Sequence, residues 1–165
     1  MEPQLYFICP TDHLEHIIND QLGGVNYFYF SLGNSLGFDV ETLEQLSSFL
    51  NEKRIENISF VLSDSNQLVL DAIQRQGGVQ FKGLENLYDG IRREKVLSSS
   101  LWKGKSLEIA LVAQYLKSRV KDLESKFSET LNADLNITAL LYDSKNKQFK
   151  SLYSDFIYTE CIRMN

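Results

Sequence analysis

The sequence lacks most of the features that mark specialised classes of protein. It has 165 residues and two cysteines, Cys9 and Cys161, whose spacing suggests no disulfide framework. A reducing cytoplasm is therefore the expected compartment. No apolar run approaches the roughly 18 residues that span a bilayer, and residues 1–13 show no basic region followed by an apolar stretch. We therefore expect neither a membrane span nor a signal peptide.

Long basic runs and nucleotide-binding motifs are missing as well. The formal net charge is -5, which disfavours nucleic acid as a partner. The densest basic cluster, Ile91–Lys95, is interpreted as a solvated helix face. The sequence contains neither G-x-x-x-x-G-K-[ST] nor a G-x-G-x-x-G that follows a strand, so no nucleotide cofactor is expected.

What is present is an ordinary globular composition with recurring apolar segments. Apolar residues make up 43% and charged residues 24% of the chain, and residues 1–165 are predicted to form one domain. Short apolar runs typical of buried parallel strands lie at Leu5–Cys9, Val25–Phe30, Ile58–Leu62 and Leu135–Tyr142. A fifth segment, Gln148–Tyr153, follows a polar turn and is predicted to pair as an antiparallel hairpin strand.

Helices are predicted between these strands. Thr11 or Asp12 can cap a first helix, and Asp39 can cap a second. A long amphipathic helix is predicted over Leu107–Phe127, whereas the stretch Gly77–Ser100 indicates short helices and loops. The alternation of strands and helices predicts a three-layer α/β fold with a mainly parallel central sheet.

Four segments carry motif-like residues in a specific order. They read FICPTDH at Phe7–His13, FSLGN at Phe30–Asn34, SDSNQL at Ser63–Leu68 and ALLYDSKNKQF at Ala139–Phe149. In order and spacing the chain resembles the β-class carbonic anhydrases, whose corresponding motifs are C-x-D-x-R, R-N-A-G-N, G-H-x-x-C-G and G-x-x-Y-D-x-x-T-G-x-V. Cys9 matches the first motif, and the Tyr-Asp pair matches the last. The resemblance implies the strand order 2-1-3-4, with the antiparallel fifth strand at one edge.

The departures from these motifs lie where the family holds its zinc. The positions of the H-x-x-C pair are occupied here by Asp64 and Gln67. The aspartate and arginine of the first motif are replaced by Thr11 and His13, so Cys9 alone remains of the three ligands that the resemblance implies. Glutamine offers no thiolate, and the usual N/S coordination of zinc cannot be assembled. We therefore expect no zinc, no other cofactor and no carbon dioxide hydration.

Several of these residues allow more than one interpretation. Cys9 is either a buried apolar cysteine or a nucleophile at a helix N-terminus. His13 and His16 are placed on the first helix, either as surface residues or as ligands of a rebuilt metal site with Cys9 and Asp64. Asp64 either caps the following helix or lies in a ligand site at the carboxyl end of a strand. A phosphoacceptor role for Asp64, as in receiver domains, is disfavoured. Those domains need a pair of acidic residues after the first strand, and the segment Cys9–Asp12 supplies one, Asp12.

We predict a non-catalytic carbonic-anhydrase-like protein that binds a partner or a small ligand. The candidate ligand pocket comprises Cys9, Thr11, His13, Asp64 and Gln67. The alternative is an enzyme of different chemistry, in which Cys9 acts as nucleophile or metal ligand with His13 and Asp64.

Two apolar segments bear on assembly. The aromatic set Tyr27–Phe30 is interpreted as core packing beneath helices. The stretch Phe156–Ile162 would expose an apolar strand edge if left alone, and such edges are normally covered. Because the resembled family also forms dimers, a homodimer is the expected assembly.

Overall fold

The computed structural model describes residues 2–74, 83–98, 105–130, 135–152 and 159–161, and within them six strands form one sheet. The strands are β1 (Pro3–Ile8), β2 (Val25–Phe30), β3 (Asn57–Ser63), β4 (Asn136–Asp143), β5 (Gln148–Leu152) and β6 (Thr159–Cys161). Their spatial order is β2-β1-β3-β4-β5-β6.

The pairing directions confirm the predicted topology. β1 pairs in parallel with β2 and β3, and β3 pairs in parallel with β4. β5 returns antiparallel to β4, as the hairpin predicted, and β6 adds a further antiparallel strand outside β5. Tyr153 and most of the predicted stretch Phe156–Ile162 lie outside the described residues, apart from β6 itself.

Helices cover both faces of the sheet and confirm the three layers. They are α1 (Glu15–Leu22), α2 (Val40–Lys53), α3 (Gln67–Gln74), α4 (Glu85–Ser98) and α5 (Lys105–Thr130). α1 packs with Tyr6 and Ile8 of β1 on one face. The other four helices pack with Leu5, Phe7 and Cys9 on the opposite face. This alternation along β1 follows from the period of two in a strand. In the described ranges, no helix combines the length and apolar character that crossing a bilayer requires.

The start of the first helix differs from the prediction. Pro10 to Asp12 form a short 3-10 turn, and His13 adopts a left-handed conformation with φ of 52°. α1 begins only at Glu15, and no side chain caps it. The predicted cap by Thr11 or Asp12 is therefore wrong, and so is the placement of His13 on the helix. The sequence around Asp39 behaved as predicted, because its carboxylate accepts a hydrogen bond from the Thr42 N–H at 2.8 Å.

The aromatic strand β2 is also less buried than predicted. Tyr27 does pack in the core, edge-on to Phe49 with 5.4 Å between ring centroids. However, β2 lies at one edge of the sheet, and Tyr29 and Phe30 are exposed. Core packing is therefore the wrong interpretation for these two residues, because an edge strand has a neighbour on one side alone.

Asp143 organises the turn between β4 and β5. Its Oδ1 accepts hydrogen bonds from the backbone N–H groups of Lys145 and Asn146, at 3.1 and 2.9 Å. Its Oδ2 lies 2.7 Å from the Lys150 ammonium on β5. Lys150 first, and then the Asn146 N–H, hold the pKa of Asp143 well below its usual range. The ionised carboxylate thus fixes the hairpin.

Asp143→Asn should destabilise the protein at neutral pH by about 1–3 kcal/mol, because a buried charge-assisted contact is lost. Because the pKa of Asp143 is lower in the folded protein than in the unfolded chain, its ionised carboxylate stabilises the fold fully at pH values above the unfolded-state pKa of about 4. This stabilisation is lost progressively as the pH falls below that value. The difference in unfolding free energy between wild type and Asp143→Asn, measured in urea, should therefore become smaller from pH 7 towards pH 3. Asp20→Asn, at an exposed position of α1, is the control and should change stability little. A deficit independent of pH would contradict the assignment.

Candidate ligand site at the strand ends

The carboxyl ends of β1 and β3 lie side by side, because these parallel strands are neighbours. A second 3-10 turn, Leu32–Asn34, follows the edge strand β2 and reaches the same end of the sheet. Open α/β sheets bind ligands at this end of their strands. The residues that follow β1 and β3 are therefore the candidates for a functional site.

Cys9 ends β1 and is fully buried, with 0% of its surface exposed. Its sulfur accepts a hydrogen bond from the Gly33 N–H at 3.1 Å and lies 3.0 Å from the Thr11 hydroxyl oxygen. The thiol therefore joins the end of β1 to the turn after β2. This contact brings two of the predicted pocket residues, Cys9 and Thr11, together.

The turn that contacts Cys9 is closely packed against α4. Gly33 and Asn34 both have positive φ, of 57° and 54°, which glycine adopts readily and asparagine tolerates. A Cβ atom on Gly33 would lie 2.8 Å from a methyl carbon of Leu87 on α4. Gly90, one turn along α4, leaves room for the Tyr115 ring, since a Cβ there would lie 2.8 Å from a ring carbon.

Tyr115 of α5 holds this turn through its hydroxyl group. The hydroxyl donates to the Gly33 carbonyl at 2.8 Å and lies 3.2 Å from the Asn34 carbonyl. The side chain is 1% exposed, and burial raises the pKa of Tyr115 well above its usual value. The hydroxyl therefore keeps its proton and remains a donor at neutral pH.

A second polar group links the ends of β1 and β3. The Asp12 carboxylate accepts the Ser63 N–H at 2.9 Å and the Asn66 side-chain amide at 2.8 Å. The side-chain oxygen Oδ1 of Asn66 in turn accepts a hydrogen bond from the Val69 N–H at 3.0 Å and caps α3. Burial raises the pKa of Asp12, while the two donors and nearby His13 oppose that rise. Asp12 and Asn66 thus cross-link the two strand ends.

The remaining predicted residues point to other contacts. Asp64 accepts the Ser144 N–H at 3.1 Å, and its predicted role as the cap of α3 is wrong because Asn66 performs it. Gln67 is exposed and donates to the Ser65 carbonyl at 3.1 Å. His13 is exposed in the turn before α1. Asp64 is nevertheless close enough to Asp12 for its charge to raise the Asp12 pKa.

These side chains do not fit a zinc ion. Zinc in proteins takes three or four ligands from cysteine, histidine and carboxylate side chains. Among the described residues, no three such side chains lie together as a metal-binding group. Cys9 is enclosed by Gly33 and Thr11, and Asp64 is engaged by the β4–β5 turn.

Three residues of the site were missed by the sequence patterns. Asn66 stands directly before α3, and asparagine is among the preferred N-cap residues, so this signal was available. Asp12 lies one position from the family aspartate, and no spacing rule marks it. Tyr115 belongs to the apolar stripe of α5, where its hydroxyl carries no separate signal.

Solved structures with the same fold are β-carbonic anhydrases. Wild-type CafD of Aspergillus fumigatus matches with a TM-score of 0.73 at 21% identity, over 93% of this chain and 90% of that chain. One of two tetrameric β-carbonic anhydrases from Sordaria macrospora matches with 0.71 at 13% identity, over 92% and 80%. A Coccomyxa β-carbonic anhydrase in complex with acetazolamide matches with 0.68 at 15% identity, over 92% and 72%. No protein-family model and no curated protein sequence matches the chain. The protein therefore has the β-carbonic anhydrase fold.

Tyr115→Phe should lower the free energy of unfolding by about 1–3 kcal/mol, because the buried Gly33 carbonyl loses its donor. The ring and its packing are retained, so the loss reports the hydroxyl alone. Tyr27→Phe is the matched control, because it removes the hydroxyl from a ring that packs on Phe49, and it should change stability by less than about 0.5 kcal/mol. Equal effects of the two substitutions in urea unfolding would show that the Tyr115 contact is unimportant.

Proposed function

We propose that this is a carbonic-anhydrase-like protein that does not hydrate carbon dioxide through zinc, and that its strand-end site binds a small ligand or a partner. One observation carries the proposal. Cys9, the remaining family ligand, is buried against the Gly33 N–H and the Thr11 hydroxyl, while Asp64 and Gln67 make contacts elsewhere.

The lack of a zinc donor set among the described residues bears directly on the reaction. Carbonic anhydrase chemistry needs a metal that lowers the pKa of bound water to about 7. At the position of the family's second cysteine, the Gln67 amide lies exposed, and Asp64 holds the Ser144 N–H. These side chains support hydrogen bonding at the strand ends and not coordination of a metal.

The same residues favour a particular kind of ligand. Thr11, His13 and Gln67 are exposed at the strand ends, and Asp12 and Asp64 place two carboxylates beside them. Carboxylates attract cations and accept hydrogen bonds. We therefore favour a ligand, or a segment of a partner, that carries a positive charge or several N–H donors.

The alternative, an enzyme with Cys9 as nucleophile and His13 as base, has less support. A reactive thiol must be accessible and within hydrogen-bond reach of its base. The Cys9 sulfur is buried and contacts Thr11 and Gly33, whereas His13 is exposed in a left-handed turn. In the reducing cytoplasm where we place the protein, this thiol would act as a packing group.

Metal analysis of the purified protein should find less than stoichiometric zinc, and stopped-flow measurements should find no carbon dioxide hydration above the uncatalysed rate. Cys9→Ser should leave both results unchanged, because Cys9 binds no metal in this proposal. In a Cys161→Ser background, Cys9 should react with a thiol reagent only as fast as the protein unfolds.

Two results would contradict the proposal. Stoichiometric zinc that is lost on Cys9→Ser, together with fast hydration, would establish a rebuilt zinc site. Rapid modification of Cys9 at neutral pH in the folded protein, slowed by His13→Gln but not by His16→Gln, would favour the nucleophile. His16 is the matched control because it is also exposed and lies three residues from His13.

We also propose that the protein forms a homodimer through the edge strand β2. This edge strand carries exposed apolar residues at both of its ends, with Val25 52% and Phe30 50% exposed. Tyr29 and Leu32, near its carboxyl end, are exposed as well. Exposed apolar sheet edges are normally covered in native proteins. The tetrameric Sordaria macrospora enzymes are consistent with self-association in this fold.

Light scattering should show a dimer at micromolar concentration, and Phe30→Glu should shift it to the monomer, because a charge would be buried in the contact. Val96→Glu is the matched control: Val96 is 75% exposed on α4, and the substitution adds the same charge away from β2. A wild-type monomer, or equal dissociation of both variants, would contradict the dimer.

A further inference from the structure

A cavity lies apart from the residues of the strand-end site. It is a cleft of about 610 Å³ between α4, α5 and the loop that contains Gly37 and Phe38. Small-molecule sites usually enclose about 300–1,000 Å³. The cleft is therefore large enough for a metabolite of nucleotide or sugar-phosphate size.

The lining of this cleft is cationic, although the chain as a whole has a net charge of -5. Four basic and two acidic side chains line its walls, which is an excess of two positive charges. The charged lining residues are Arg92, Arg93, Arg119, Lys126, Asp89 and Asp122. A local excess of positive charge in a concave surface concentrates anions there.

Arg119 is the buried centre of this charge. Its residue exposure is 7%, and its guanidinium lies 4.7 Å from the centre of the Phe38 ring. One terminal nitrogen donates to the Asp122 carboxylate at 3.0 Å and the other to the Leu36 carbonyl. The buried Nε has no hydrogen-bond partner among the described residues. Because a buried donor without an acceptor is costly, an anion in the cleft would stabilise this group.

The walls around Arg119 are held in place before any ligand binds. The Leu36 carbonyl is held by Arg119, and the Ser35 carbonyl accepts the Asn86 side-chain amide of α4 at 3.0 Å. Tyr115, one helical turn before Arg119, holds the preceding residue Asn34. The loop is thus tied to both helices, and the cleft is preorganised, which lowers the entropic cost of binding.

The rim of the cleft carries exposed arginine side chains. Arg92 is paired with Asp89 only loosely, at 4.0 Å, and the two side chains are 66% and 60% exposed. Exposed pairs of this kind contribute about 0–1 kcal/mol, so Arg92 can exchange Asp89 for a ligand at little cost. Arg93 is likewise exposed beside it. Guanidinium groups bind phosphoryl and carboxylate oxygens in bidentate geometry.

We propose that this cleft binds a small polyanion, a molecule with two or more negative charges on phosphoryl or carboxylate groups. Arg119 is the fixed anchor, and Arg92 and Arg93 close on the ligand from the rim. The proposal does not depend on the strand-end site, so Gln67→Ala, at an exposed strand-end position, should leave this binding unchanged.

Calorimetric titration of the 165-residue protein with pyrophosphate and with citrate tests the proposal. We expect saturable binding of at least one probe, weakened by salt. Arg92→Gln combined with Arg93→Gln should weaken it about tenfold or more, equivalent to about 1.4 kcal/mol. Lys145→Gln combined with Lys147→Gln removes the same charge from the exposed β4–β5 turn and should leave the affinity unchanged.

Arg119→Lys tests the anchor, because it keeps the charge and removes the planar fork; its thermal unfolding should be followed in parallel. If that variant does not fold, the rim variants decide the question. Tighter pyrophosphate binding identifies a phosphoryl ligand, tighter citrate binding a carboxylate ligand, and equal affinities support the shared chemistry. Absence of saturable binding by either probe at millimolar concentration, or equal weakening in the Lys145 and Lys147 control, would overturn the proposal.

Discussion

The arrangement at the strand ends depends on one buried hydroxyl group. Tyr115 donates its proton to the turn after β2, and the N–H of the same turn then reaches the Cys9 sulfur. A helix on one face of the sheet is in this way connected to the end of a central strand by two hydrogen bonds in sequence. Gly33 and Asn34 allow the positive φ that the turn needs, and the tyrosine attaches the turn to α5.

Hydrogen bonds hold the two neighbouring strand ends together. Asp12 and Asn66 connect the ends of β1 and β3, and Asn66 caps α3 at the same time. Each such contact contributes about 1 kcal/mol, so the strand ends depend on several of them together. The arrangement requires a partly buried carboxylate, whose pKa is raised by its burial.

The sequence predicted the sheet well, for a clear physical reason. Strands buried on both faces are continuous apolar runs, and the order of the motifs indicated how they pair. The details that failed depend on single contacts. Pro10 diverted the chain into a 3-10 turn and moved the start of α1 to Glu15. Tyr29 and Phe30 have the composition of a core strand, but their exposure depends on which strand lies at the edge.

The site was harder to predict than the fold. Cys9 and Thr11, two of the candidate pocket residues, lie in contact because they are two residues apart at a strand end. Asp64 lies in the predicted turn, yet its carboxylate accepts the Ser144 N–H, whose position follows from the tertiary structure. Gln67 begins α3 and donates to the nearby Ser65 carbonyl. The partners Asp12 and Asn66 are separated by more than fifty residues, and a single sequence carries no pattern that joins them.

The contact between Gly90 and the Tyr115 ring has a consequence for the evolution of this chain. A side chain at position 90 would occupy the space of the ring, and a smaller residue at position 115 would remove the hydroxyl from the turn. The two positions are therefore expected to change together in related sequences, with any larger residue at 90 accompanied by a different means of holding the turn. Such coupled substitutions would record in sequence the physical dependence of the strand-end site on the spacing between two helices.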